Sequence, residues 1–194
     1  MEIILHRINS IELLKSSPKK YGIEFDIRSY GKELIINHDP FKGGTLFLDW
    51  IKSYNHGTLV INLKEDGLEE KIIFYLKKYK INSYFFLDQL MPSIINTTNK
   101  GELNCAVRVS DYESMESAIN LKNKVNWVWV DIFQKFPLNK KKFIELKQNN
   151  FKICLASPEI QPHNSLHIND IKNILKKEEI FLDAVCTKFP EQWI

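Results

Sequence analysis

Cysteine is scarce in this chain: there are three in 194 residues, Cys105, Cys154 and Cys186. An odd number, with no CxxC pair and no zinc-type spacing, argues against a disulfide framework or a structural zinc site. Each lies in an apolar stretch that reads as a strand, so three buried small hydrophobes are expected, in a cytoplasmic chain. Long hydrophobic runs are also missing, and none approaches the roughly 18 residues that a membrane span needs. The opening Met-Glu-Ile-Ile-Leu-His-Arg turns polar too soon for a secretory signal, so secretion is not expected. Nor is either charge in excess: Lys+Arg 27 against Asp+Glu 24 leaves +3, too mild to argue for nucleic acid as a partner. What remains is 44% apolar and 26% charged, the balance of an ordinary globular protein, at a length that suits one domain over residues 1–194.

Apolar runs of strand length recur throughout. They are Ile3 to Leu5, Gly22 to Ile27, Leu34 to Asn37, Thr58 to Leu63, Ser83 to Leu87, Cys105 to Val109, Trp127 to Ile132, Phe151 to Ala156 and Asp183 to Thr187. Between them, Leu68 to Tyr79, Lys140 to Asn149 and Asn169 to Lys177 carry apolar residues at helical spacing. Asp111 ahead of Glu113 to Leu121, and Pro92, read as helix starts. Strands alternating with helices imply a mostly parallel sheet. With Leu34 to Asn37 taken as a short return strand, eight parallel-type strands remain, the number of a (β/α)8 barrel, here a short one. A doubly wound open sheet is the alternative architecture.

The C-terminal ends of the strands carry His6, Asp26, Lys64, Asp88, Arg108, Asp131, Glu159 and Lys188. In both architectures that is the end where ligands bind. Three short pieces concentrate the chemistry: His6-Arg7, Glu24-Phe25-Asp26 and His38-Asp39. Side chains at i and i+2 of a strand share a face, so Glu24 and Asp26 can point together at one hard cation. Histidine exchanges protons near neutral pH, and Arg7 offers a forked donor suited to phosphate. His56, His163 and His167 read as solvated residues or caps.

Ile4-Leu5-His6-Arg7, Gly22-Ile23-Glu24-Phe25-Asp26-Ile27 and Leu34-Ile35-Ile36-Asn37-His38-Asp39 resemble, in order, the opening motifs of the glycerophosphodiester phosphodiesterase family. Val60-Ile61-Asn62-Leu63-Lys64 is similar to the family's third-strand motif, and Leu182 to Pro190 to its closing motif. The resemblance implies a (β/α)8 barrel that cleaves a small glycerophosphodiester to an alcohol and a glycerol phosphate, assisted by a divalent cation, Mg2+ or Ca2+. Carried over by position, His6 and His38 would be the catalytic acid–base pair. Glu24, Asp26 and Asn62 would hold the metal, and Arg7, Lys64 and Lys188 would bind the substrate phosphate.

The chain also departs from the family pattern. Asn62 stands where the family has a glutamate that commonly completes the metal site. Ile8 replaces a glycine, Asn9-Ser10 stand in place of "P-E-N-T", and Lys188 replaces an aspartate. The segment after His38-Asp39 is short, which makes Phe41, Phe133, Phe136 and Trp193 the aromatics best placed to wall a substrate site. Asn62 and Lys188 together predict a more positive site, suited to a more anionic substrate or working with a loosely held metal. Two other readings stay open: a phospholipase-like cyclising enzyme that needs little or no metal, and a barrel that binds without turnover.

Overall fold

Each continuous apolar run becomes a strand. The structure is a computed structural model, describing residues 1–161 and 166–194, and its contacts divide into two units, Ile4–Gly101 and Met1–Ile3 with Glu102–Ile194. The first unit contains the second half of β1 (Glu2–Leu5), then α1 (Ile11–Ser16), β2 (Gly22–Tyr30), β3 (Glu33–Ile36), β4 (Thr45–Leu46), α2 (Phe47–Ile51), β5 (Leu59–Leu63), α3 (Glu69–Lys78), β6 (Tyr84–Leu87) and α4 (Met91–Asn99). Strands β1, β2, β5 and β6 are parallel neighbours in that order, while β3 and β4 add on antiparallel.

The second unit contains β7 (Ala106–Val109), α5 (Met115–Asn120), β8 (Trp127–Val130), α6 (Lys140–Gln148), β9 (Lys152–Ala156), α7 (Ile168–Lys177) and β10 (Ala184–Thr187). Its strands are parallel neighbours in sequence order. The eight parallel strands and the return strand are therefore those expected. Neither unit contains the reversal of strand order that marks a doubly wound sheet.

Alternation along β2 decides what each face does. Ile23, Phe25 and Ile27 point one way and are fully buried. Phe25 stacks on Phe47 at 5.7 Å and on Trp50 at 4.7 Å between ring centroids, so α2 seals that face. The Trp50 indole donates to the Ile8 carbonyl at 3.2 Å, which ties α2 to the turn after β1. Glu24 and Asp26 are left on the opposite face. The register places Asp26 beside Asn62 and Leu5 beside Ile23, so the residue after β1, His6, and the second residue of the Asn62–Lys64 pair follow on that same face.

Local differences from the expected pattern have tertiary causes. β2 runs three residues past Ile27 because β3 supplies partners as far as Tyr30↔Glu33. β4 was not expected; it exists because Ile35 and Ile36 pair with Leu46 and Thr45. A Cβ at Gly44 would run into the Ile36 carbonyl, so only glycine lets the chain return this closely. Asp111 does not start a helix. Its carboxylate accepts from the Phe133 and Gln134 N–H groups at 3.1 and 3.0 Å, and Ser114 caps α5 instead. Pro92 lies in the first turn of α4, as expected.

The three cysteines are fully buried, and burial pushes the Cys154 thiol well above its ordinary range. His56 is held by the Ser17 carbonyl at 3.2 Å, and His167 stands at the N-cap of α7. His163 lies outside the described residues. No helix among the described residues is long and apolar enough to cross a membrane.

Candidate active site

A gap in one edge of β2 assembles the cluster. Strand β5 takes one edge of β2 from Ile23 to Ile27. On the other edge β1 pairs only at Gly22 and Ile23, and β3 only from Ile27 onward. Glu24, Phe25 and Asp26 are therefore served there by irregular chain. The Ile8 N–H donates to the Glu24 carbonyl at 2.8 Å, and the Asn37 N–H donates to the Asp26 carbonyl at 3.1 Å. Asn9 fills the remaining place: its Oδ1 accepts the Asp26 N–H at 3.0 Å and its Nδ2 donates to Asp26 Oδ2 at 2.7 Å. These bonds bring the His6-Arg7 turn and the Asn37-His38 turn to the same three residues.

Arg7 sits at the tightest point of that turn, with φ +56°, in the left-handed region that costs a residue with a Cβ about 1–3 kcal/mol. The conformation aims its backbone N–H at Glu24 Oε2, 2.7 Å away. Its side chain is 46% exposed, with Nε 3.7 Å from Asp26 Oδ2, so the guanidinium keeps donors for something outside. His6 is mostly buried, with Nε2 3.9 Å from Glu24 Oε2.

Both carboxylates are buried, Glu24 at 1% and Asp26 at 0% exposure. Burial, and next the charge of Asp26, push the Glu24 carboxyl up to about 7, against opposing pulls from the Arg7 N–H, the Asn62 amide and Lys64. Lys64 Nζ donates to Asn62 Oδ1 at 2.8 Å and lies 3.1 Å from Asp26 Oδ1 and 3.6 Å from Asp88 Oδ2. Asp88 also has a left-handed backbone, φ +64°, which takes it out of the strand alternation and lets its carboxylate reach Lys64.

His38 is 43% exposed, and its Nδ1 is 3.1 Å from Asp39 Oδ1. A carboxylate can only accept, so Nδ1 carries a proton and Nε2 is the nitrogen left to exchange one. Lys42, and after it His38, hold the Asp39 carboxyl down at about 2. Arg28 fixes the loop from behind, donating to the His38 carbonyl through Nε and one terminal nitrogen at 3.1 and 3.0 Å.

Three solved structures share this architecture. A Galdieria sulphuraria protein named for glycerophosphodiester phosphodiesterase activity superposes with a TM-score of 0.72 at 15% identity, covering 98% of this chain and 95% of that one. Glycerophosphodiester phosphodiesterase from Agrobacterium tumefaciens gives 0.65 at 11% identity, covering 99% and 97%. The fold is one this chain shares with those phosphodiesterases. Phosphoribosylanthranilate isomerase from Thermotoga maritima also superposes, at 0.54 and 13% identity over 96% of this chain and 86% of that one, so the barrel-like α/β fold by itself names no activity. No protein-family model and no curated protein matches the sequence.

Seven of the eight residues singled out from sequence lie in the first unit. His6, Arg7, Glu24, Asp26, Asn62 and Lys64 are linked by the contacts above, and His38 is tied in through its own loop. Lys188 belongs to the second unit, where its N–H donates to Glu159 Oε1 at 2.9 Å. Asn9, Arg28 and Asp88 were not assigned a site role from sequence. Asn9 had one signal, its position just after a His-Arg pair that has lost the usual glycine. Among the aromatics proposed as a wall, Trp193 is a core residue at 6% exposure, and Phe41 is 99% exposed.

The cation implied by the phosphodiesterase resemblance does not fit the donors present. A hard divalent cation wants about six oxygens. Among the described residues no three acidic, histidine or cysteine groups converge to hold a metal. Asn62, the third expected ligand, turns its Nδ2 to Glu24 Oε1 at 3.0 Å and gives its oxygen to Lys64.

Proposed function

We propose that this chain hydrolyses a small phosphodiester of the glycerophosphodiester class, with His6 and His38 as the acid–base pair. A phosphodiester is a poor electrophile, and its reaction needs positive charge near the non-bridging oxygens and a protonated leaving group. In this reading, His38 Nε2 takes the proton from the attacking hydroxyl. His6, in its protonated form, gives its proton to the departing alkoxide. Arg7 and Lys64 meet the charge that develops on the phosphoryl oxygens, and Asp39 keeps His38 in its basic tautomer.

One observation carries the proposal: His6, Arg7 and Lys64 lie within ion-pair reach of the buried Glu24 and Asp26 carboxylates, and the turn that bears His38 is held to the same strand by the Asn37 N–H on the Asp26 carbonyl. The fold likeness to glycerophosphodiester phosphodiesterases supports it. The test is release of alcohol from a glycerophosphodiester by the wild type, His6→Ala and His38→Ala. Each substitution should lower kcat by about 10²–10⁴-fold, the range for a lost general acid or base, with unfolding midpoints little changed. Undiminished hydrolysis by both variants overturns the assignment.

A further inference from the structure

Lys64 Nζ has three protein oxygens around it: Asn62 Oδ1, Asp26 Oδ1 and Asp88 Oδ2 at 2.8, 3.1 and 3.6 Å. The contact with Asn62 is a hydrogen bond, and the contacts with Asp26 and Asp88 are ion pairs. Asp26 Oδ1 is buried and receives no hydrogen bond of good geometry; its partner is this positive charge. The other oxygens a cation would use are also engaged. Glu24 Oε1 accepts from Asn62 Nδ2, Glu24 Oε2 from the Arg7 N–H, and Asp26 Oδ2 from Asn9 Nδ2, at 3.0, 2.7 and 2.7 Å.

Asn62 is the hinge of the arrangement. It accepts from Lys64 through its oxygen and donates to Glu24 through its nitrogen, two roles that an ionised carboxylate cannot combine. A glutamate in its place could accept from Lys64 but could not donate, and it would set a third negative charge against Glu24 and Asp26. Charge then decides what the site needs. Arg7 and Lys64 already stand against Glu24, Asp26 and Asp88, and a further acid at position 62 would add to the negative charge and call for a second cation.

We propose that the Lys64 ammonium, held by Asn62, Asp26 and Asp88, is the resident cation of this site, and that the chain works on phosphodiesters without a divalent metal. This rests on the phosphodiesterase reading above and specifies its cation. The proposal ties two residues together: Asn62 makes room for the ammonium, and the ammonium makes a metal unnecessary.

The test is Mn2+ binding, followed by the electron-spin signal of the free ion, for wild type, Asn62→Glu and Lys64→Met, with hydrolysis measured in parallel in excess chelator. The wild type should show no saturable Mn2+ binding up to millimolar concentration, and its hydrolysis should be unchanged by chelator. Either variant should gain saturable binding, seen also as an unfolding midpoint that climbs with the logarithm of Mn2+ concentration. Using two variants covers the case in which Asn62→Glu does not fold. Saturable Mn2+ binding by the wild type that Asp26→Asn abolishes overturns the proposal, as does hydrolysis that chelator removes and added cation restores. Binding is read without turnover, so a wild type that neither binds Mn2+ nor hydrolyses phosphodiesters sinks the phosphodiesterase reading instead.

Discussion

On β2 the side chains two residues apart are Glu24 and Asp26; at the end of β8 they are Trp129, on the strand, and Asp131, just after it. The spacing is the same and the chemistry is opposed. Asp131 is as buried as Glu24, at 1% exposure. Its neighbour two residues back is a donor, however: the Trp129 indole reaches Asp131 Oδ2 at 3.1 Å. Gln161 takes Oδ1 at 2.7 Å, and Arg108 adds an ion pair at 3.1 Å. Glu159, at the end of β9, is likewise satisfied by the Ser157 and Thr187 hydroxyls and the Lys188 N–H. In the first unit two acids face one another, and one carboxyl is lifted to about 7. Proteins tolerate such local conflict where it is used and settle it elsewhere. The β8 cluster has its donors in place, and under the proposed function the β2 cluster is the one used for chemistry.

The sharpest way to break this contrast is Asp131→Ala. It leaves the Trp129 N–H, Gln161 and Arg108 without their shared acceptor, so stability should fall by about 2–4 kcal/mol, read from urea denaturation. A neutral result would mean that the second cluster is no better settled than the first.

Glu24→Gln should act in the opposite sense. Because the folded-state pKa is raised above the ordinary carboxyl value, the folded chain holds this proton more tightly than the unfolded chain does. Stability associated with it is present below about pH 4.5 and is lost as pH rises towards 7. The variant should therefore be more stable than wild type at pH 8, by on the order of 1–3 kcal/mol, with little difference at pH 4, while hydrolysis falls. Urea midpoints at the two pH values check this, and a loss of stability at both would contradict it.

Asn9→Ala should cost less stability, about 1–2 kcal/mol for two hydrogen bonds to the buried Asp26. Its main effect should be on kcat, down by about tenfold or more, because Arg7 and Asp26 lose the link that sets their geometry. A change confined to stability would make Asn9 a structural residue only.

How far the sequence could be read follows from the range of each interaction. Val60 to Leu63 and Trp127 to Val130 announce themselves as strands because burial on both faces writes an uninterrupted apolar run. Thr45–Leu46 carries no such mark; two residues become a strand only because Ile35 and Ile36 lie beside them. Asp111 and Ser114 are equally good cap residues, three positions apart, and the choice is made by backbone N–H groups of Phe133 and Gln134, remote in sequence. Glu24 and Asp26 were legible as a pair because the strand period alone puts them on one face. The bonds of Lys64 to Asp26 and Asp88 were not, since they depend on the register Asp26↔Asn62 and Asn62↔Leu87 and on a left-handed Asp88.

The smallest expected effect belongs to Lys188, the one residue taken for phosphate binding that lies among settled groups. Its backbone N–H is committed to Glu159, and that bond survives any side-chain change except to proline. Lys188→Gln should therefore leave the fold unaltered, within about 0.5 kcal/mol in urea denaturation. If the ammonium meets an anionic substrate only as an exposed charge, KM should rise by about two- to fivefold, the size of a screened contact worth under 1 kcal/mol, with kcat unchanged. That difference should fade as salt is added. A fall in kcat that persists at high salt would place Lys188 with the groups that stabilise the transition state, and the contrast between a poised first unit and a settled second one would then no longer hold at this strand end.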